Sequence, residues 1–449
     1  MLSLLTLLAA SPALAVEVAW NGEYRSRGLL YDSLSLSRTN ELAEGTSTLM
    51  DHRLRLQPSF FVTPQVGVFA QVDYLPLTPY GGSTDTFYDP VTGESIPLAY
   101  ADGVAPYTDE DDGASYAQNL QVTRAYADIY TAIGRFRFGR VPMNWGAGIL
   151  FNDGLSYDKE FGDTSDRMQL TSRLGSLYLM GGWENMYEGY LNEPDDMQAV
   201  DVALAYRSET IGIGLFNRYR FQPSQSFRAY TGDFWAIAEM GPATIQTEVA
   251  AVFGGGNLDT GANDVSIAAV GAMLEAGITL ERLMGGLELG VATGDANPDD
   301  SDYRTFSFDR DHNVAMMMFE EPMPMLGAQV SNETNQGRED GAVRTAEGIS
   351  NALYLRPWVG WQFMPELSAE VQVFAAQAAK LPDDEADDKG YGVEVDTTVH
   401  YEPYEHFFLE GTFGVFLPGT YYSSYDAGEL GTGFDAAALG GRLFATVEF

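Results

Sequence analysis

Val66-Gly67-Val68-Phe69-Ala70-Gln71-Val72-Asp73-Tyr74 places Val66, Val68, Ala70, Val72 and Tyr74 on one face and Phe69, Gln71 and Asp73 on the other. A period of two held over about nine residues is the signature of a strand with one apolar face. Just upstream, Thr63-Pro64-Gln65 carries turn chemistry, and His52-Arg53-Leu54-Arg55-Leu56-Gln57 alternates in the same way. The pattern returns at Asp201-Val202-Ala203-Leu204-Ala205-Tyr206-Arg207, at 366–377, at 393–401 and at 407–417. Apolar spacing of the helical kind over three turns is hard to find anywhere.

The connections alternate as well. Short ones fall at 63–65, 133–134, 174–176, 208–209, 241–242, 277–279, 364–366 and 402–404. Most carry Gly or Pro. Long ones fall at 32–49, 76–117, 141–167, 185–198, 222–232, 254–264, 293–350, 379–389 and 418–435. Eight tight turns and nine long loops join eighteen strands, and an even count puts both termini at the tight-turn end. A soluble sandwich does not sort its loops by length. A transmembrane β-barrel does, with short periplasmic turns and long outer loops. The expected fold is therefore all-β: one antiparallel barrel of about 18 strands with periplasmic termini, 16 strands being the nearest rival.

Composition agrees. The chain has 449 residues, with 64 Asp+Glu, 25 Lys+Arg and a net charge of −39. Its 25 Tyr, 25 Phe and 6 Trp exclude a disordered acidic protein. So acidic a chain lacks the positive face that nucleic-acid binding needs. Without Cys there is no disulfide, thiolate metal site or Cys nucleophile. Much of the acid lies in the long loops. Loop 76–117 holds eight acids (Asp85, Asp89, Glu94, Asp102, Asp109, Glu110, Asp111 and Asp112) and no Lys or Arg. Loop 293–350 holds twelve acids against four Arg. The simplest reading is a solvated, self-repelling surface; divalent cations shared with lipopolysaccharide phosphates are the alternative.

The two ends of the chain fit the same picture. Leu2–Ala10 is apolar and Ala13-Leu14-Ala15 reads as a cleavage site, so residues 1–15 are expected to be a secretory signal and 16–449 the barrel. No Lys or Arg precedes the apolar core, which departs from the usual signal. No later run is long and apolar enough for a membrane helix. The last strand puts Ala437, Leu439, Gly441, Leu443, Ala445, Val447 and Phe449 on one face and ends on that Phe, as outer-membrane barrels commonly do. About 24 residues of the expected mature chain are available per strand and connection.

Several segments resemble the alginate-export-type outer-membrane porins. Gly134-Arg135-Phe136-Arg137-Phe138-Gly139-Arg140-Val141-Pro142 with Trp145-Gly146 is similar to that family's strand-and-loop signature, and Asp163, Asp166 and Arg167 sit where it has an Asp- and Arg-rich loop. Ala292-Thr293-Gly294-Asp295-Ala296-Asn297-Pro298-Asp299-Asp300 with Thr305-Phe306 looks like its Gly-Asp-x-Asn-Pro stretch. Gly392-Val393-Glu394-Val395-Asp396 and Phe416-Leu417-Pro418-Gly419 are similar to its penultimate hairpin. The resemblance implies an 18-strand barrel that exports or admits a small or polymeric solute. The family is known for a strongly basic pore, and this chain has only three Lys (Lys159, Lys380 and Lys389).

In a barrel the apolar phase separates lipid from lumen. It turns Arg53, Arg55, Arg124, Arg135, Arg137, Arg207, Arg218 and Arg220 inward in the first half of the chain. It turns Glu248, Glu288, Glu370, Glu394, Asp396 and Glu410 inward in the second half. Two readings follow. Either the charges pair with neighbours and stiffen the wall, or the two arcs face each other and impose a transverse field that selects solutes, Arg matching carboxylate or phosphate.

Other chemistry is thin. His52, His312, His400 and His406 show no metal spacing. Asp295-x-Asn297-x-Asp299 has the start of a calcium loop but lacks its Gly and Glu, so a plain loop is the better reading. No nucleophile or metalloprotease motif occurs. No enzyme activity, cofactor or metal is expected. The expected function is an outer-membrane channel of a Gram-negative bacterium, a porin or exporter, passing a hydrophilic solute, an anionic one or a polysaccharide. Its partners would be outer-membrane lipid and lipopolysaccharide. The alternative is a structural or adhesive surface protein whose barrel is plugged by loops 76–117, 141–167 or 293–350. Circular dichroism of detergent-extracted protein should show strand, with heat-dependent mobility on SDS gels; a helical spectrum would refute the barrel.

Overall fold

The computed structural model describes residues 16–34, 36, 46–79, 87–88, 95–96, 120–187, 197–256, 265–297, 300–321, 348–381, 388–424 and 434–449. The expected signal, nearly all of the acidic loop 76–117, Asp299 and the middle of loop 293–350 lie outside the described residues.

Eighteen long strands form one sheet: β1 (Glu17–Asp32), β2 (Thr46–Thr63), β3 (Val66–Pro79), β4 (Leu120–Thr131), β5 (Gly134–Pro142), β6 (Thr164–Leu174), β7 (Leu177–Tyr187), β8 (Met197–Arg207), β9 (Ile211–Gln222), β10 (Phe227–Met240), β11 (Ala243–Gly256), β12 (Val265–Leu280), β13 (Leu283–Ala292), β14 (Ala352–Met364), β15 (Leu367–Ala378), β16 (Gly390–Tyr404), β17 (Phe407–Pro418) and β18 (Ala438–Glu448). Each pairs antiparallel with the next, and β18 pairs with β1 from Glu23↔Glu448 to Asp32↔Leu439. The sheet therefore closes on itself and keeps no open edge. Closure extends to the last residue. Phe449 and Gly22 exchange two backbone hydrogen bonds of 2.8 and 2.9 Å. A Cβ on Gly22 would lie 2.7 Å from the Phe449 ring, so only glycine lets the terminal ring seat there.

The tight turns and the chain ends share one end of the barrel. Two-residue turns at Gly175-Ser176 and Gly241-Pro242 start on a glycine with φ of 64°, the backbone that matches strand twist in a hairpin. Three connections differ from the sequence reading. Gly277 lies within β12, opposite Thr244 and Gly286, and the turn comes at 281–282, where Glu281 takes φ 44°. Pro403 is absorbed by an irregularity at the end of β16, so that turn moves to 405–406. The loop expected at 222–232 shrinks to a single 3₁₀ turn, Pro223–Gln225, because β10 already begins at Phe227. Its small residues Ala229 and Gly232 hide the alternation.

The outer face is apolar. Val200, Val202, Leu204 and Tyr206 of β8 are exposed while Ala199, Asp201 and Ala203 between them are buried. Trp20, Tyr130, Trp361, Phe363, Tyr404 and Phe449 are exposed near the tight-turn end, an aromatic girdle of the kind that marks a membrane interface. No helix among the described residues is long and apolar enough to cross a membrane. The barrel crosses with its strands. Val202→Arg, at the middle of β8 on the lipid face, should cost about 2–4 kcal/mol of stability, measurable by denaturant unfolding in lipid vesicles.

Candidate functional site

Two long connections fold into the barrel instead of away from it. The first inward loop, 143–163, joins β5 to β6. Tyr157 offers its carbonyl to Arg25 Nη1 on β1 (2.9 Å) and Gly154 offers its own to Arg55 Nη1 on β2 (2.5 Å). The carbonyls of Asp153 and Lys159 take Arg124 on β4 and Arg53 on β2. At its other end Trp145 Nε1 donates to Asp233 on β10 (2.6 Å), and the Ala147 N–H donates to Glu248 on β11 (2.5 Å). Strands β1–β4 and β10–β11 are on opposite walls, so this loop spans the lumen.

The second inward loop, 304–321, follows β13. Met316, Met317 and Met318 donate their N–H groups to Glu394 at 2.7–2.9 Å, and Met316 also to Asp396 (3.1 Å). His312 Nε2 sits 3.0 Å from Glu288. Wall glycines provide the sockets. A Cβ at Gly440 would lie 2.7 Å from Met316 Cε, and one at Gly214 2.8 Å from the Trp145 ring. Phe306, Phe308, Met316–Met318 and Phe319 join Tyr354, Phe374 and Tyr391 of the wall in a buried apolar cluster inside the barrel.

The inward arginines are heavily paired. In β1 and β2 the register sets Glu23, Arg25 and Arg27 opposite Arg55, Arg53 and Asp51. Arg53 pairs with Glu23, and Arg27 lies 2.6 Å from Asp51. Arg55 grips Asp73 with two bonds of 2.8 and 3.0 Å, the fork geometry of a guanidinium on a carboxylate. Arg137 does the same to Asp128 at 2.6 and 2.7 Å, beneath the Tyr126 ring, and Arg135 stands 3.8 Å from that carboxylate. Arg218 bonds both Asp201 (2.8 Å) and Glu184 (2.7 Å), and Arg167 shares Asp201 (2.7 Å). Arg124 makes its bond to a loop carbonyl. Arg220 is half-buried, and its Nε has no partner among the described residues. Arg207 is exposed beside the 208–210 turn and lies over the Trp235 ring at 5.0 Å.

The acids depart from the expectation that they face the arginine arc. Glu248, Glu394 and Asp396 hold loop N–H groups instead. Glu288 takes Tyr354 Oη (2.6 Å), His312 and Arg356 (3.1 Å). Glu410 accepts from Tyr157 Oη at 2.6 Å, with His400 3.3 Å away. Glu370 is half-buried. The reason is desolvation: a carboxylate in a narrow lumen needs the nearest donor, and the inward loops bring unsatisfied N–H groups within reach. The first loop adds its own acid. Glu160 lies 3.0 Å from Arg25 and 2.5 Å from Arg27; although burial works against its charge, these two arginines, with Arg53, hold its carboxyl down at about 2.

Sequence reasoning missed Arg25, Arg27, Glu160, Arg167, Glu184, Asp201 and Asp233 as luminal groups. Glu23-Tyr24-Arg25-Ser26-Arg27 alternates and was a usable signal. Glu160 had none, because loop residues carry no phase. Of the calcium-like stretch, Asp295 is consumed locally: it accepts from the Asn297 and Arg304 N–H groups at 3.0 and 2.9 Å.

Among solved structures, the chain is similar to a BenF-like porin from Pseudomonas fluorescens Pf-5, at 12% identity and a TM-score of 0.57, covering 96% of this chain and 98% of that one. It is also similar to Pseudomonas aeruginosa OccK9 (OpdG), at 13% and 0.56 over 96% and 99%. A third is Pseudomonas aeruginosa OccK2 (OpdF), solved in complex with glucuronate, at 10% and 0.54 over 96% and 98%. These likenesses bear out the 18-strand antiparallel barrel fold. They do not support the alginate-export type in particular. No family pattern matches the chain, and no curated protein does.

Removing Arg218 should be felt as instability, because it uncovers Asp201 and Glu184 inside the wall. Arg218→Ala should cost about 3–5 kcal/mol in denaturant unfolding, while Arg207→Ala should change little.

Proposed function

We propose that this protein is an outer-membrane diffusion channel for small hydrophilic solutes. Its constriction is the gap left beside the two inward loops. The observation that carries the reading is the anchoring of loops 143–163 and 304–321 to opposite walls through named ion pairs and N–H···carboxylate bonds. Such fixing holds an opening at constant size, whereas a plug needs only packing. A transport role, with no catalysis, fits a lumen of paired charges. We read the tight-turn end, with both termini, as periplasmic and the long acidic loops as facing lipopolysaccharide. A removed leader at 1–15 belongs to the same reading.

A small solute fits two loops across the lumen better than a polysaccharide does. Alginate as cargo rests on the short sequence motifs alone, and acids of the first inward loop such as Asp153 and Asp158 oppose a polyuronate. Arg135, one-third exposed, and Arg220 are the cations best placed to meet a small anionic group. Sugar acids are a reasonable first probe, given the glucuronate bound by one similar barrel.

Purified protein in a planar bilayer should give discrete conductance steps. In a salt gradient, Arg220→Ala should shift the reversal potential toward cation selectivity. Well-folded protein that conducts only after deletion of residues 144–162 would favour the plugged, structural reading; no conductance even then would refute the channel.

A further inference from the structure

Several wall glycines are explained by crowding. A Cβ at Gly290 would strike the Tyr354 ring, and one at Gly440 would lie 2.7 Å from Met316 Cε. Three glycines of the lipid face have no such reason. At Gly28, Gly411 and Gly441 an added Cβ would find its nearest neighbour 3.9, 3.8 and 3.8 Å away, which is ordinary contact. None of the three takes a positive φ. Glycine inside a strand weakens it, and where neither space nor backbone demands one it marks a place that another molecule approaches closely.

The register gathers these three at the seam where β18 meets β1. Gly28 stands opposite Leu443, and Leu30 opposite Gly441. On the other side of β18, Gly411 stands opposite Leu443, and Phe413 opposite Gly441. Large and missing side chains therefore alternate from strand to strand, and the gaps join into a groove of about 790 Å³. The same two rows run on to Thr48 and Met50 of β2 and to Thr397 and Val399 of β16. Leu30, Met50, Phe413 and Leu443 stand about half exposed beside the gaps. Arg442 borders the groove, but its guanidinium lies over the ring of the buried Phe444, on the inner side of the wall.

We propose that this groove seats an acyl chain of the outer-leaflet lipid around the barrel, laid across the five strands at the closing seam. The groove is continuous with the apolar outer face, so lipid is what it meets. Its two outermost strands are roughly 19 Å apart, the reach of one extended long acyl chain. It also slopes. Thr48 is the third residue from the loop end of β2, and Thr397 the eighth from the loop end of β16. A chain that enters near the loop end thus descends toward the middle of the bilayer. Placing that end in the outer leaflet rests on the orientation proposed above; the groove itself does not. A second copy of this chain has the weaker claim. In a bilayer, apolar burial gives protein no advantage over lipid tails, and beyond two threonines the outward lining has no polar side chain to bond a partner. A seated chain touches both β1 and β18 and fills a gap whose lining atoms would otherwise lack contacts.

Native mass spectrometry reads the seat directly, on protein reconstituted with dipalmitoyl phosphatidylglycerol and then moved into mild detergent. Wild type should carry one firmly held lipid per barrel. Gly411→Leu with Gly441→Leu fills the groove and should lose it. Gly181→Leu adds the same side chain in open space on the lipid face of β7 and should keep it. Heat-dependent mobility on SDS gels shows whether each barrel is folded; Gly28→Leu replaces the double variant if that one does not fold. Wild type without a retained lipid overturns the seat, as does a filled variant that holds as much lipid as wild type. Equal loss in Gly181→Leu overturns it too. A wild-type dimer that the filled variant loses assigns the groove to a second copy instead. None of these readouts uses conductance, so the seat and the channel can fail separately.

Discussion

Everything in this molecule depends on the pairing of β18 with β1. In hydrocarbon no water is present to satisfy an exposed N–H or C=O, and each such group costs several kcal/mol (about 2–7). Seventeen hairpin or loop-joined pairs would leave two bare edges. The ladder from Glu23↔Glu448 to Asp32↔Leu439, and the two bonds between Gly22 and Phe449, remove both. Closure also creates the inside, a space with its own solvent, apart from the lipid that the alternate residues face.

Two loops fold into that inside and bury the charges of the wall, and this burial explains its chemistry. Charges on neighbouring strands are too close to one another and too far from bulk water to stand alone. Arg55 with Asp73, Arg137 with Asp128 and Arg218 with Asp201 and Glu184 are all cross-strand solutions to the same desolvation cost. The acids of the second half of the wall meet the cost by a different route. With few arginines near them, Glu248, Glu394 and Asp396 take N–H groups from loops that would otherwise need water. The same bonds that satisfy the wall position the loops. A lumen with few uncompensated charges results, despite a chain whose net charge is −39; much of the surplus lies in the long loops.

The architecture was legible from residues alone because a membrane barrel repeats one rule on every strand. Val200, Val202, Leu204 and Tyr206 outward, with Asp201 and Ala203 inward, is a period that no helix or loop imitates. Loop lengths sorted by side gave the strand number. Errors fell where alternation is masked by small residues or where a glycine or proline sits inside a strand, as at Gly277, Pro403 and Ala229–Gly232. Ladder register overrode local turn chemistry at each of these places.

By itself, then, the sequence determined the barrel, its strand number and the shared end of the termini, because all of these follow from period and spacing along one chain. Only the tertiary structure decided what the inward charges do. Arg53 and Glu23 are 30 residues apart, Tyr157 and Glu410 are 253 apart, and Met317 and Glu394 are 77 apart. Nothing in local pattern links them. The first pair meets through the β1–β2 register, the other two because the inward loops carry Tyr157 and Met317 to distant parts of the wall, and all three because a buried charge seeks the nearest partner wherever the chain supplies it.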